Sequence, residues 1–228
     1  MVGDLPLQRQ IKSRLAETGL RIFDVEAIWL QPHTDIEQLK PSLDVAVELG
    51  ARYVLTVGHD PDWGRMTNNL SRLCEAAHVR ELRVMLEFIP YSHVRNLQEA
   101  HRLLTEAAPA NAGLLVDALH LSRSGGSPAD IAGYEPELFT YIHLCDAPLA
   151  PPQPENLRTE ARGGRLYPGE GRLWLPEFLT AFPTGTPIAI EAPSARHNSL
   201  SPQDRARLAT AACRDLFGKV SWPSALPT

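Results

Sequence analysis

The stretch "VMLEFIP", residues 84–90, decides the fold because it joins an apolar run of strand length to a carboxylate. Its apolar residues suit a buried strand, and Glu87 lies at the far end of that strand. Burying an unpaired carboxylate is costly, so such a group normally finds a cation, a hydrogen-bond network or a metal ion. Glu87 therefore directs attention to the ends of the other strands.

Apolar runs of strand length alternate with helical patterns along the whole chain. Five further runs share this character: residues 21–30, 51–58, 112–120, 138–147 and 186–193. Continuous apolar strands that are each followed by a helix indicate a parallel sheet covered by helices. Such a sheet is either an open doubly wound sheet or a β/α barrel.

The composition is that of an ordinary soluble globular protein, and it predicts a single domain over residues 1–228. Of the 228 residues, 43% are hydrophobic and 21% are charged, which is enough apolar material for a substantial core. The formal net charge of −5 and the absence of a block rich in Lys and Arg disfavour a nucleic-acid partner.

Cysteine spacing and hydropathy predict the compartment. The three cysteines show no CxxC spacing, so neither a disulfide framework nor a structural zinc site is indicated. No apolar run approaches the roughly 20 residues that span a bilayer, and the N-terminus does not resemble a signal peptide. We therefore expect a cytoplasmic protein with no membrane partner.

Four consecutive strands carry a metal-ligating side chain at or near their carboxyl ends. These residues are Glu87, Asp117, His143 and Glu191. In a parallel barrel all strand carboxyl ends point to one face, so the four side chains can converge. Carboxylate oxygens and an imidazole nitrogen suit one divalent ion such as Mn²⁺, Mg²⁺, Co²⁺ or Zn²⁺. The sequence therefore predicts a metal site.

The order of these four residues, with "DALH" (117–120), "HLCDAP" (143–148) and "RLYPGEG" (165–171) between them, resembles a known family. It is similar to the xylose-isomerase-like TIM barrels of the sugar phosphate isomerase/epimerase superfamily, over roughly residues 15–215. The resemblance implies a divalent metal held by the four side chains. It also implies that Glu87 and Glu191 exchange protons with the substrate.

The leading functional prediction is a metal-dependent isomerase or epimerase of a sugar or a related small hydroxy-keto compound. A metal that binds an α-hydroxycarbonyl acidifies the adjacent C–H, and the two glutamates would move the proton through an enediolate. Loss of a β-hydroxyl would instead give a dehydratase, and the motifs also resemble 3-dehydroshikimate dehydratases. An apurinic endonuclease is disfavoured by the acidic balance. A truncated barrel without turnover is the non-enzyme alternative.

Four other residues are predicted to contact the substrate: His59, His120, Arg165 and Asp146. His59 and His120 each follow a strand closely. Arg165 offers a bidentate fork for a substrate carboxylate or phosphate. Asp146 could contact the substrate or orient His143.

The strand count predicts a barrel that is short at its N-terminus. Six β/α units are clear, whereas a closed barrel has eight, so the first two units of the family fold are expected to be missing. Residues 1–19 then form the helix before the third family strand. The open fold would leave strand edges near residues 22–29 and 186–191, which a second copy of the chain could cover.

Overall fold

The computed structural model describes residues 2–220 and 222, and six strands within them each pair in parallel with a neighbour. The chain divides into two units. Unit 1 comprises residues up to 87 together with 92–94 and 98–114. Unit 2 comprises residues 88–91, 95–97 and those from 115 onward.

Unit 1 alternates helices and strands, as the sequence predicts. In chain order it contains α1 (Leu5–Thr18), β1 (Asp24–Leu30), α2 (Ile36–Glu48), β2 (Tyr53–Gly58), α3 (Trp63–His78), β3 (Arg83–Glu87) and all but the first residue of α4 (Leu97–Ala107). The predicted N-terminal helix is confirmed as α1, which ends at Gly19 in the left-handed conformation.

Strands β1, β2 and β3 form a parallel group whose carboxyl ends are level. Leu30 lies opposite Gly58, and Val57 lies opposite Glu87. A Cβ at Gly58 would lie 2.4 Å from a methyl carbon of Val94, so only glycine fits at the end of β2. This close packing fixes the point at which the chain leaves β2.

Unit 2 contains the second parallel group. In chain order it holds the last three residues of β4 (Ala112–Asp117), then α5 (Ala118–Arg123), β5 (Ile142–Leu144), α6 (Leu157–Gly163), α7 (Leu175–Thr180), β6 (Ile188–Ile190) and α8 (Pro202–Val220). Asp117 lies opposite His143 in the pairing of β4 with β5. Leu144 lies opposite Ile190 in the pairing of β5 with β6.

The long segment after β5 is ordered, although its sequence shows no periodicity. It contains α6, and its two ends are joined because Asp146 and Leu166 exchange backbone hydrogen bonds of 2.9 Å each. The helix that closes the chain begins as predicted. Ser201 Oγ accepts the N–H of Asp204, and Pro202 is the first helical residue of α8.

The prediction of six parallel β/α units is confirmed by these strands. Within the part of the chain that the structure describes, β1 pairs only with β2 and β6 only with β5. The predicted single domain and the predicted second copy at these edges stay predictions. Among residues 2–220 and 222, no helix is both long and apolar enough to cross a membrane.

Candidate active site

Three of the four predicted metal ligands come together in unit 2. Asp117, His143 and Glu191 each offer one ligand atom, and these atoms lie within 4.8 Å of one another. Asp117 and His143 are fully buried, whereas the Glu191 side chain is 33% exposed. The strands explain this convergence: two ligands face each other across the β4–β5 pair, and the third directly follows β6.

Backbone contacts fix the position of Glu191. Its N–H donates to the carbonyl of Leu144 at 3.1 Å, which continues the pairing of β6 with β5 by one residue. Its Oε2 lies 3.2 Å from Nδ1 of His143. A carboxylate and an imidazole at this separation can both bind the same metal ion. The other carboxylate oxygen of Glu191 is then left for a further contact.

Arg165 is the central cation of this cluster. Its Nη1 donates to Oδ2 of Asp117 at 2.6 Å, and its Nη2 lies 3.0 Å from Oε2 of Glu191. The side chain is only 2% exposed. The backbone N–H of Arg165 donates to the carbonyl of Pro193, which places the residue beside the loop after β6. The fork predicted for a substrate anion is therefore engaged by two predicted ligands.

The surroundings of Asp117 favour its ionised form. Burial, the largest single influence, would raise the pKa of this carboxyl, but the charge of Arg165, the neighbouring His120 and His143 and the backbone N–H of His120 together lower the pKa to about 2. In the same pair, burial opposes the charge of Arg165, yet the pKa of Arg165 lies well above its ordinary value because Asp117 is ionised. Asp117 is therefore a carboxylate over the whole neutral range.

His120 lies beside the ligands as a neutral imidazole. Burial lowers its pKa to about 3, and the side chain contacts Arg165, with 3.4 Å between Nε2 and Nη2. Because an arginine can only donate, Nε2 accepts and the proton is on Nδ1. The N–H of His120 also donates to Oδ1 of Asp117 at 2.9 Å. The structure thus brings His120 into the cluster.

The donor set fits a divalent ion. Two carboxylates and one imidazole are hard and borderline donors, and three protein donors leave coordination positions for a substrate. The identity of the ion does not follow from these donors, because all four predicted metals accept them.

The other predicted ligand and one predicted contact belong to unit 1. Glu87 is the last residue of β3 and is 5% exposed, so it ends a buried strand as the sequence predicts. His59 follows β2 and is half-buried between the rings of Trp29 and His93, at centroid distances of 5.2 and 4.9 Å. Glu87 as a fourth ligand and His59 as a substrate contact stay predictions.

Asp146 organises the loop after β5. Its carboxylate accepts four backbone N–H groups, which belong to Ala147, Gly169, Gly171 and Leu173, at 2.8 to 3.0 Å. The side chain is buried, with 2% of the residue exposed. These contacts give Asp146 a structural role in the loop, and its predicted contact with the substrate or His143 stays a prediction.

Glu191 is also one of the residues that line a cavity in unit 2 of about 600 Å³. Arg162 and Arg205 line it, and neither forms an ion pair within the described part of the chain. Tyr167 lines it too and stacks on His197 with ring centroids 4.4 Å apart. Sequence reasoning missed both arginines, because each lies on a helix and carries no motif that distinguishes it from a surface cation.

Comparisons with known proteins agree with this architecture. A family model described as a xylose isomerase-like TIM barrel matches residues 3–214. Two curated relatives are 3-dehydroshikimate dehydratases. The one from Pseudomonas aeruginosa is 27% identical over 191 residues, and the one from Pseudomonas putida is 25% identical over 189 residues. Each match covers 75% of this chain and 28% of the relative, so the chain spans just over a quarter of their length.

Solved structures share the fold at lower identity. The IOLI protein, whose structure contains a zinc atom, has a TM-score of 0.82 at 17% identity, covering 98% of this chain and 84% of that chain. The 3-keto-D-glucoside 4-epimerase of E. coli has a TM-score of 0.70 at 16% identity, covering 91% and 84%. The chain is therefore similar in sequence to two dehydratases and similar in fold to an epimerase.

Proposed function

We propose, given that this chain belongs to the xylose isomerase-like TIM barrel family, that it is a metal-dependent dehydratase of a cyclic hydroxy-keto acid. The observation that carries the proposal is the position of Glu191, which belongs to the ligand cluster and also lines a cavity together with two arginines. The dehydratase activity of the two curated relatives supports this choice of reaction.

Asp117, His143 and Glu191 would hold the divalent ion, with Glu87 proposed as the fourth ligand from its place at the end of β3. When bound, such an ion polarises the substrate carbonyl and makes the adjacent C–H more acidic. Asp117 suits a ligand role because it is ionised and buried, and His120 fixes one of its oxygens through a backbone N–H.

Glu191 is the candidate base. Its side chain is the most exposed of the three ligands in unit 2, and Glu191 lines the cavity, so we expect a substrate bound there to reach its carboxylate. It would take the proton from the carbon next to the carbonyl as a carbon–carbon double bond forms and the β-hydroxyl bond breaks. The departing hydroxide takes up a proton and leaves as water.

The cavity supports an acidic substrate. Arg162 and Arg205 are exposed cations without an acidic partner among the described residues, and guanidinium groups bind carboxylates in a bidentate way. A cyclic keto acid would place its carboxylate toward these arginines and its keto group toward the metal ligands.

The second candidate is isomerisation or epimerisation of a keto sugar. It needs the same proton removal, followed by return of a proton instead of loss of water. The fold shared with the E. coli epimerase and the order of the ligands favour it.

Incubation of the Mn²⁺-loaded chain with 3-dehydroshikimate tests the leading proposal. Loss of water from this ring gives an aromatic dihydroxybenzoate, which is followed by ultraviolet absorbance and mass spectrometry. Glu191→Gln should lower the rate by about 10²–10⁴-fold. Glu177→Gln, which changes an exposed carboxylate on α7, should retain the wild-type rate. Solvent deuterium entering a keto sugar with no loss of water would instead favour the epimerase.

A further inference from the structure

We propose that Arg165 is a resident counter-cation of the ligand carboxylates, which stabilises the metal-free protein and weakens its affinity for the metal. This inference rests on the metal site proposed above, and it does not depend on the substrate contact that the sequence suggested for Arg165, which stays a prediction. Arg165 would stay bound to Asp117 and Glu191 when the divalent ion enters.

Contacts away from the carboxylates anchor the guanidinium. Its Nε donates to the carbonyl of Ala161 at 3.0 Å, and its Nη1 donates to the carbonyl of Glu191 at 3.0 Å. The same Nη1 lies 3.3 Å from the sulfur of Cys145. These groups are not among the proposed metal ligand atoms, so they would keep Arg165 in place whether or not the carboxylates acquire another cation.

The charges determine the direction of the effect. Without the guanidinium, the buried carboxylate of Asp117 and the partly exposed carboxylate of Glu191 would form a close pair of like charges that opposes folding. With Arg165 present, the repulsion is relieved, but an incoming divalent ion then meets a fixed positive charge on the same oxygens. Arg165 therefore stabilises the metal-free folded state and at the same time lowers the affinity of the site for the metal.

The test compares Arg165→Met and Arg165→Lys with the wild-type chain. Mn²⁺ binding is measured by calorimetry after treatment with a chelator, and thermal unfolding is measured without metal. We expect Arg165→Met to lower the dissociation constant for Mn²⁺ by about tenfold or more, since a charge at contact distance is lost. We expect its metal-free Tm to fall by roughly 5 °C or more, since Asp117 loses its partner. Arg165→Lys keeps the positive charge, so its dissociation constant should stay near the wild-type value.

Arg123 provides the matched control. It is also a buried arginine of unit 2, with 2% of its side chain exposed, and it binds Glu160 through two hydrogen bonds of 2.7 and 2.8 Å. Arg123→Met should lower the metal-free Tm yet leave Mn²⁺ affinity unchanged. Weaker or unaltered Mn²⁺ binding in Arg165→Met would overturn the proposal.

A measurement on the wild-type chain covers the case in which Arg165→Met does not fold. The side-chain N–H resonance of Arg165 in ¹⁵N-labelled protein is identified by its loss in Arg165→Lys. On addition of Zn²⁺ it should shift and remain protected from exchange with water, whereas no shift, or rapid exchange, would overturn the inference. Failure of the wild-type chain to bind any metal would refute the proposed function itself, a result distinct from these.

Discussion

Asp117, the last residue of β4, lies directly opposite His143 of β5, and both side chains are buried. This register places a carboxylate and an imidazole side by side without any help from a loop. Since neighbouring parallel strands fix the pair, its geometry should persist in the absence of a metal.

Asp117→Asn should weaken both the fold and the metal site. The change removes the negative charge that Arg165 contacts at 2.6 Å and leaves that buried guanidinium short of a partner. Breaking a buried ion pair costs about 3–5 kcal/mol, and urea unfolding measures this loss. Bound Mn²⁺, measured by elemental analysis, should fall below stoichiometric. Wild-type stability in the variant would show that the pair contributes nothing to folding.

Glu191→Gln should separate chemistry from folding. Because its side chain is one-third exposed, the loss of charge should change the free energy of unfolding much less than Asp117→Asn does. Turnover of 3-dehydroshikimate should fall by about 10²–10⁴-fold, the usual contribution of a general base. A second variant, Glu87→Gln, tests the fourth ligand that the sequence predicts. This variant should contain less bound metal than the wild-type chain. Turnover that persists in Glu191→Gln would assign the base elsewhere.

The acid side of the stability profile should depend on His120 first and Asp117 second. The folded-state pKa of His120 is about 3, below the ordinary 6.5, so its contribution to stability is complete above pH 6.5. It is lost as the pH falls from 6.5 toward 3, because the unfolded state binds a proton that the folded state does not. The folded-state pKa of Asp117 is about 2, against 3.8, so its contribution is lost between about pH 4 and pH 2.

Urea unfolding at a series of pH values measures this profile. His120→Gln should flatten the decline between pH 6.5 and 3, whereas His78→Gln, at an exposed histidine, should reproduce the wild-type curve. An unchanged slope in His120→Gln would show that the imidazole is not held neutral.

Asp146→Asn should loosen the loop after β5. In asparagine a nitrogen atom replaces one carboxylate oxygen, and this nitrogen cannot accept a hydrogen bond. Some of the four backbone N–H groups would therefore lose their acceptor. Losing hydrogen bonds to a charged group should cost about 2–4 kcal/mol. Hydrogen exchange at Gly169 and Gly171 should become faster. Glu170→Gln, whose carboxylate accepts one N–H from Tyr167, should have a much smaller effect.

Arg205→Gln and Arg162→Gln should weaken binding of an acidic substrate. Each removes a cation that lines the cavity beside Glu191, so KM for 3-dehydroshikimate should rise about three- to tenfold per substitution, with kcat changed little. The matched control is Arg207→Gln, because Arg207 is on the same helix, pairs with Asp204 and does not line the cavity. If KM rose no more in Arg205→Gln and Arg162→Gln than in the control Arg207→Gln, the two arginines would be excluded as substrate contacts.

The candidate ligands at the strand ends of unit 2 could be predicted from the sequence. The side chains and backbone groups that contact them could not. Asp117 ends an apolar run, Glu191 directly follows a strand and His143 lies one residue before the end of another strand, and parallel pairing alone brings such positions to one edge. The contact of Arg165 with Asp117 joins residues 48 positions apart and depends on the course of a loop with no periodic pattern. The four amides around Asp146 depend on the same loop.

The shape of that loop also explains why the motif "RLYPGEG" (165–171) does not identify the substrate. Gly169 has a φ of +89°, and a Cβ on Gly171 would lie 2.4 Å from the Asp146 carboxylate and from the carbonyl of Ala147. The bend of the backbone around the buried Asp146 side chain therefore requires both glycines. This requirement is the same whatever reaction takes place nearby. The two glycines of the motif encode the path of the backbone, so their presence does not by itself distinguish a dehydratase from an epimerase.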